Sequence, residues 1–387
     1  MDSQALHRPT PPKAPWLWDI FCQVIDNFGD VGVCWRLAAD LAARGHRVRL
    51  WLDEPQALTW MAPGALEGCW PGVYVRNWSD ASNPQVLKGL ETAQVWVESF
   101  GCELPTAFVA ARALSLGGAL QPVWINLEYL SAEDFVERCH ALPSPVMSGP
   151  AKGWTKHFYY PGFTPLTGGL LREPGLLVRR DAFDATRRQM FLQDLGLADE
   201  GEALVSLFCY DGAPVAQLLD RLRAQTRPVH LLVTAGKASA LVERTLVQTP
   251  HGKSHLRVSS LPLLSQTDFD QLLWACDLNF VRGEESLVRA VWAGQPFIWQ
   301  IYPQDDGAHR AKLAAFLDVL GAPPLVRNWH AQWNALVPWS GDLPLQLDAE
   351  SPWPAWVGAL QCGLAQQTDL LSGLLAFVAE RKLLLKN

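Results

Sequence analysis

The sequence predicts an α/β protein built from two successive parallel-sheet halves, followed by a helical C-terminal stretch. Three observations carry this. A strand, a glycine loop, a helix and a second strand follow one another within residues 16–54, which is a βαβ unit. A second alternation of short apolar runs and helical patterns begins at residue 203. The length, 387 residues, suits two domains that each bury a full core.

The first strand is WLWDIFCQVI, residues 16–25, an apolar run rich in aromatic and β-branched side chains. It breaks at DNFGDVG, residues 26–32. The helix VCWRLAADLAAR follows, with Val33, Leu37 and Leu41 on one face and Gly45 as its C-cap. HRVRLWLDE, residues 46–54, is the second strand. YVRNW (74–78), QVWVESF (94–100) and PVWINLEYL (122–130) read as further strands of that sheet. ARALSL and residues 86–90 fit the connecting helices. Residues 140–185 are rich in proline and glycine and aperiodic, so they read as loops and an interdomain linker. Helical character resumes over 184–195.

In the second half, ALVSLFCY (203–210) and VHLLVTAG (229–236) are strands around the helix VAQLLDRLRAQ. HLRVSSLPLL holds another strand. DFDQLLWACD (268–277) is a helix, LNFV (278–281) a strand and ESLVRAVWAG (285–294) a helix. PFIWQIY (296–302) is a strand and AHRAKLAAFLDVLG a helix. Two helical stretches, near 355–367 and 370–384, close the chain. Open parallel sheets bind ligands beyond the carboxyl ends of their strands, so two such sheets facing each other make an interdomain cleft.

Composition narrows the function. Apolar residues make up 49% and charged residues 18%, which excludes a disordered chain. The net charge of −7 argues against a nucleic-acid binder and against binding to an anionic membrane surface. No run approaches the length of a membrane span. The N-terminus, MDSQALHRPTPPKAP, lacks the apolar core of a signal peptide and reads as a proline-rich disordered tail, which predicts a cytosolic protein. The eight cysteines form no CxxC pair and no metal-ligand spacing with histidine, so they read as reduced structural thiols. The 18 tryptophans fit either a core or a groove for a planar or sugar ligand.

Two constellations could carry chemistry. The loop after the first strand is Asp26-Asn27-Phe28-Gly29-Asp30-Val31-Gly32. Its glycines allow close backbone approach. Asp30 is read either as a helix cap or as a general base at the mouth of the cleft. Arg282-Gly283-Glu284-Glu285-Ser286 opens a helix directly after a strand. The free N–H groups of such a helix start suit a diphosphate, and Arg282 could add a fork of donors. Glu284 and Glu285 either accept from sugar hydroxyls or complement the helix dipole. Asp268-Phe269-Asp270 has the form of a metal-holding DxD but is better explained as helix capping, and no metal is predicted. Gln304 and Asp305 follow a strand and could face the cleft, whereas the nearby His309 reads as exposed or capping.

Two long segments do more than spacing can. WDIFCQVIDNFGDVGVCWRLAADLAARGHRVRLWLDE and LPLLSQTDFDQLLWACDLNFVRGEESLVRAVWAGQPFIWQIYPQDDGAH resemble the bacterial protein-arginine rhamnosyltransferases that modify translation elongation factor P. The resemblance covers nearly the whole chain after the tail. It implies a GT-B fold, with two Rossmann-like domains facing across a cleft and a C-terminal helix crossing back to the first. The domains expected are a tail over 1–15, an acceptor-side domain over 16–185 completed by helices of about 360–387, and a donor-side domain over 186–359. The implied activity is transfer of L-rhamnose from dTDP-β-L-rhamnose to an arginine of elongation factor P, with inversion and without a metal or cofactor.

Carried over by position, the resemblance makes Asp30 the general base and Asp26 the second essential carboxylate. It assigns donor binding to Tyr210, Gln266, Arg282, Gly283, Glu284, Glu285 and Ser286. Two departures stand out. Glu285 is one methylene longer than the aspartate usual in relatives, and Leu263 stands where relatives carry an aromatic beside the thymine. Residues alone also permit a GT-B transferase or epimerase acting on a small molecule, or a non-catalytic nucleotide-sugar-binding protein.

Overall fold

The computed structural model describes residues 15–24, 28–116, 121–248, 255–304, 307–340 and 351–385. The expected N-terminal tail, along with Asp26, Asn27 and Asp305, falls outside the described residues.

The first sheet contains β1 (Leu17–Cys22), β2 (Arg47–Leu52), β3 (Val73–Asn77), β4 (Val95–Ser99), β5 (Val123–Leu127), β6 (Pro143–Pro145) and β7 (Thr155–Tyr159). Its order is β3-β2-β1-β4-β5-β7-β6. All pairs are parallel except the edge pair β6–β7. β1, β4 and β5 are buried at every position, because helices cover both faces of a parallel sheet. The second sheet contains β8 (Ala203–Leu207), β9 (Val229–Val233), β10 (Leu256–Ser260), β11 (Leu278–Arg282) and β12 (Phe297–Gln300). It is wholly parallel, in the order β10-β9-β8-β11-β12. In each sheet the strand order reverses beside the first strand, at β1 and β8. That is where a crevice opens at the carboxyl ends.

Residues 140–185, expected to be loops and linker, contain β6, β7 and the helix Leu176–Asp181. The sequence TKHFY of β7 is short and only half-buried, and flanking proline and glycine hide its pattern. A further helix, Pro324–Trp333, follows the run read as AHRAKLAAFLDVLG and buries Trp329 and Trp333. Trp292, Trp329, Trp333 and Trp353 lie in the core of the second sheet, while Trp18 and Trp35 lie in the first. Much of the tryptophan is therefore packing.

The chain returns to the first sheet at its end. Helix Pro352–Ala365 packs on the second core through Trp353 and Val357. Helix Leu370–Leu384 instead buries Leu371, Leu374 and Val378 in the first. Asp369 caps that helix by accepting from the Ser372 backbone N–H at 2.9 Å, and Arg44 Nη2 donates to the same carboxylate at 2.9 Å. This return ties the second domain to the first.

Candidate active site

The two sheets present their carboxyl ends to one cleft of about 310 Å3. Its lining follows the strand ends in turn. Gly29 and Asp30 come after β1, Phe100 after β4, Tyr129 after β5, Tyr210 after β8, Gly283 to Glu285 after β11, and Ile301, Tyr302 and Gln304 after β12. Trp299, within β12, and Lys312, from helix Ala308–Val319, complete the wall.

Asp30 lies in the first turn of helix Gly29–Ala43. The residue at the cap position is Phe28, whose side chain makes no cap bond, and Asp30 lines the cleft. Burial raises its pKa to about 7, the nearby Glu284 charge adds to the rise, and a hydrogen bond from Tyr129 opposes it. The Tyr129 hydroxyl donates to Asp30 Oδ2 at 3.4 Å. Phe28 packs edge-on against Trp60 at 5.2 Å between centroids.

Across the cleft, Arg282 occupies the cap position of helix Gly283–Ala293, and its side chain makes no cap bond. The first N–H groups of the helix therefore point toward ligand space. Gly283 has φ +68°, and a Cβ there would lie 3.2 Å from the Tyr210 hydroxyl. The Arg282 guanidinium lies over the rings of Phe208 and Tyr210, at 4.4 and 4.6 Å. Tyr210 is held by its backbone N–H, which donates to Gln300 Oε1 at 2.8 Å, and its ring meets Tyr302 edge-on.

The two glutamates do more than complement the helix dipole. Glu284 Oε2 accepts from the Leu130 backbone N–H at 2.7 Å, and its other oxygen pairs with Lys312. Glu285 Oε1 accepts from Arg36 Nε at 2.6 Å. Both contacts that reach Leu130 and Arg36 cross from the second domain to the first. Ser286 is buried, its hydroxyl turned back to the Arg282 carbonyl and away from the cleft wall.

A smaller recess of about 130 Å3 adjoins the cleft, lined by Leu263, Gln266, Phe208, Phe269, Glu285 and, from the first domain, Trp60. Leu263 is 59% exposed there. Gln266 is buried, and its Nε2 donates to the Gly32 carbonyl at 3.0 Å. A Cβ on Gly32 would come within 3.0 Å of that same nitrogen, so glycine allows the two domains to approach. Asp26, Asn27 and Asp305 cannot be placed against this wall because they lie outside the described residues.

The DxD stretch divides into two roles. Ser265 is the cap of helix Gln266–Ala275, and Asp268 joins it through its backbone N–H and carboxylate. Asp270 does not cap. It is buried between Arg36 and Arg289, and Glu173 bridges the same two guanidinium groups. Burial opposes the charge on Glu173, yet Arg289 and Arg36 bring its pKa down to about 2. His309 Nδ1 accepts from the Gln304 backbone N–H at 3.1 Å, bracing the loop rather than facing ligand.

Sequence reasoning missed Tyr129, Lys312 and the Arg36–Glu173–Asp270–Arg289 network. Tyr129 had a usable signal, since it follows a strand's carboxyl end. The network had none, because its members are far apart in the chain.

Two parallel sheets facing across an acidic interdomain cleft, with a helix start opposite a carboxylate, are the arrangement of a GT-B fold. A solved structure, Anabaena Alr3699/HepE in complex with UDP-glucose, supports the fold alone at TM-score 0.51 and 12% identity, over 95% of this chain and 99% of that one. The chain belongs to the elongation-factor P (EF-P) rhamnosyltransferase family, EarP, whose model matches residues 18–379. It is similar to the protein-arginine rhamnosyltransferase of Pseudomonas aeruginosa, at 43% identity over 94% of this chain and 99% of the relative. The Pseudomonas putida protein-arginine rhamnosyltransferase is 48% identical over 78% of this chain and 80% of its own. A structure described as the basis for EarP-mediated arginine glycosylation of translation elongation factor EF-P superposes at TM-score 0.61 and 32% identity, over 94% of this chain and 99% of that one. The protein is thus a protein-arginine rhamnosyltransferase by family. No helix among the described residues is long and apolar enough to cross a membrane.

Proposed function

We propose that this enzyme transfers L-rhamnose from dTDP-β-L-rhamnose to an arginine side chain of translation elongation factor P, in the cytoplasm, with inversion at the anomeric carbon and no metal. The observation that carries the reading is Asp30. It is a partly buried carboxyl with a pKa near 7, set across one cleft from a helix start.

The chemistry follows from these groups. An arginine side chain is a poor nucleophile, because its lone pairs are delocalised and its pKa exceeds about 12. A carboxylate can hold the guanidinium against the anomeric carbon and take its proton as the C–N bond forms. Asp30 serves as that base, and Asp26 serves as the orienting carboxylate. Attack on the face opposite the diphosphate breaks the C–O bond and releases dTDP. The proton leaves the attacking nitrogen for Asp30. The helix start at Gly283, with Lys312 and Arg282 nearby, meets the charge developing on the leaving diphosphate. The recess beside Leu263 and Trp60 takes the base end of the donor, and Glu285 and Gln266 face the sugar–ribose segment.

The test is the intact mass of elongation factor P after incubation with this protein and dTDP-L-rhamnose. A gain of one deoxyhexose, lost with Asp30→Asn, supports the donor, the acceptor and the role of Asp30. Donor consumption without a mass gain would move the activity to a small-molecule acceptor or to hydrolysis. Donor binding without turnover would leave a binding protein.

A further inference from the structure

We propose that Tyr129 is a positioning residue for the transfer, its hydroxyl fixing the Asp30 carboxylate while the next backbone N–H ties the same loop to Glu284 of the opposite domain. This rests on the reading of Asp30 as the base. Three observations on separate atoms support it.

The first is the hydroxyl itself, which donates to Asp30 Oδ2 at 3.4 Å. Bonds to catalytic groups are often long without substrate and tighten when it binds. The second is how the ring is held. It stacks on Phe100 at 4.7 Å between centroids, with 24° between planes. Phe100 sits at φ +59°, a left-handed conformation costly for a residue with a Cβ. Such strain persists only where the surroundings impose it, and it gathers at functional sites. It turns the Phe100 ring, at the end of β4, beneath Tyr129, at the end of β5. The third is Leu130, whose N–H donates to Glu284 Oε2 at 2.7 Å. One dipeptide thus touches the base with a side chain and the donor-side helix with its backbone. Approach of the two domains therefore sets the surroundings of Asp30.

Among the described residues, these groups face Asp30. Tyr129 comes from the β5 loop, Glu284 and its partner Lys312 from the second domain, and the Cys22 thiol from the end of β1. Glu284 raises the Asp30 pKa and Tyr129 lowers it. Removal of the hydroxyl leaves the carboxyl protonated to higher pH, so less of the enzyme holds an active base at neutrality.

The experiment compares Tyr129→Phe with the parent enzyme in transfer to elongation factor P across pH. Phenylalanine keeps the ring on Phe100 and removes only the O–H. We expect kcat at pH 7 to fall roughly tenfold, with KM for dTDP-rhamnose changed by less than about twofold. The acidic limb of the kcat profile should move to higher pH. A second variant carries 3-fluorotyrosine at position 129, a stronger donor of nearly the same shape, and should move that limb to lower pH. An unmoved limb in both variants would overturn the proposal, whatever the change in rate. If Tyr129→Phe does not fold, the fluorinated protein alone decides the matter. Asp30→Asn separates the two ideas. Retained turnover there refutes the base itself, whereas lost turnover with an unmoved Tyr129→Phe limb refutes only the positioning role.

Discussion

Arg36 Nε donates to Glu285 Oε1 at 2.6 Å across the domain interface, and the same guanidinium forks onto Asp270 through Nη1 and Nη2. Arg36 lies on the helix that carries Asp30, while Glu285 and Asp270 lie on two helices of the second domain. Burial works against the charge, but Asp270, Glu285 and Glu173 together keep Arg36 ionised. The Glu285 side chain is thereby engaged across the interface.

Removal of one partner from this network should be costly. Arg36→Met leaves Glu285 without its guanidinium and burdens Arg289 with both Asp270 and Glu173. The expected loss is about 3–5 kcal/mol in urea unfolding, as for a broken buried ion pair. KM for the donor should rise as well, because Arg36 Nη2 also donates to the Gln266 carbonyl. Unchanged stability would mean that water replaces the guanidinium at no cost.

Asp30→Asn should trade activity for stability. Loss of a general base costs about 10²–10⁴ in rate. The folded-state pKa of Asp30, about 7, lies above its ordinary 3.8. The folded protein therefore binds a proton more tightly than the unfolded chain, and stability is lost as pH rises from 3.8 through 7. Asparagine lacks that penalty. Its Tm should exceed the parent's at pH 8, by an amount on the order of 1–3 kcal/mol in stability, and should approach it near pH 4. Equal melting temperatures at pH 8 would show that Asp30 is not desolvated in solution.

The same pKa sets the rate profile. Ionised Asp30 is the active form, so kcat/KM should fall tenfold per pH unit below about pH 7 and level off above it. Stopped assays of elongation factor P mass between pH 5 and 9 would show this. An acidic limb centred near the ordinary carboxylate value would contradict the burial seen here.

Gly283→Ala should act on the donor side alone. The position has φ +68°, which costs a residue with a Cβ about 1–2 kcal/mol, and the added carbon would press on the Tyr210 hydroxyl. Donor affinity, read by calorimetry with dTDP, should weaken several-fold while Asp30 titrates as before. Full affinity would show that Tyr210 can move away freely.

Asp369→Ala should loosen the C-terminal return. The variant loses the cap bond to Ser372 and one of the partners of Arg44, which keeps Asp40, with an expected cost of about 1–2 kcal/mol. Hydrogen exchange should quicken in helix Leu370–Leu384 before it does in the sheets.

Much of the fold was legible because its cause is local. Parallel strands such as VWVES and VWINL are apolar along their length, and VCWRLAADLAAR repeats its apolar face at helical spacing. The strand β7 is hidden by the proline and glycine around TKHFY, whereas helix Pro324–Trp333 carries Val326, Trp329 and Trp333 at helical spacing and was readable in principle. Among site residues, the Asp30 loop and the Arg282–Ser286 run were readable from position, each following a strand.

The sequence by itself determined the class of fold, the family, and two short loops that had to meet across a cleft. Only the tertiary structure decided which carboxylates face ligand and which are consumed in holding the domains together. Asp270 looked like part of a metal motif or a cap and is a buried partner of two arginines. Tyr129 looked like the end of a strand and touches the Asp30 carboxylate. The physical reason is that charge pairing acts through space. Arg36 and Glu285, or Tyr129 and Asp30, have no shared period or spacing along the chain, and their energies exist only once both sheets have formed and their carboxyl ends have closed on one another.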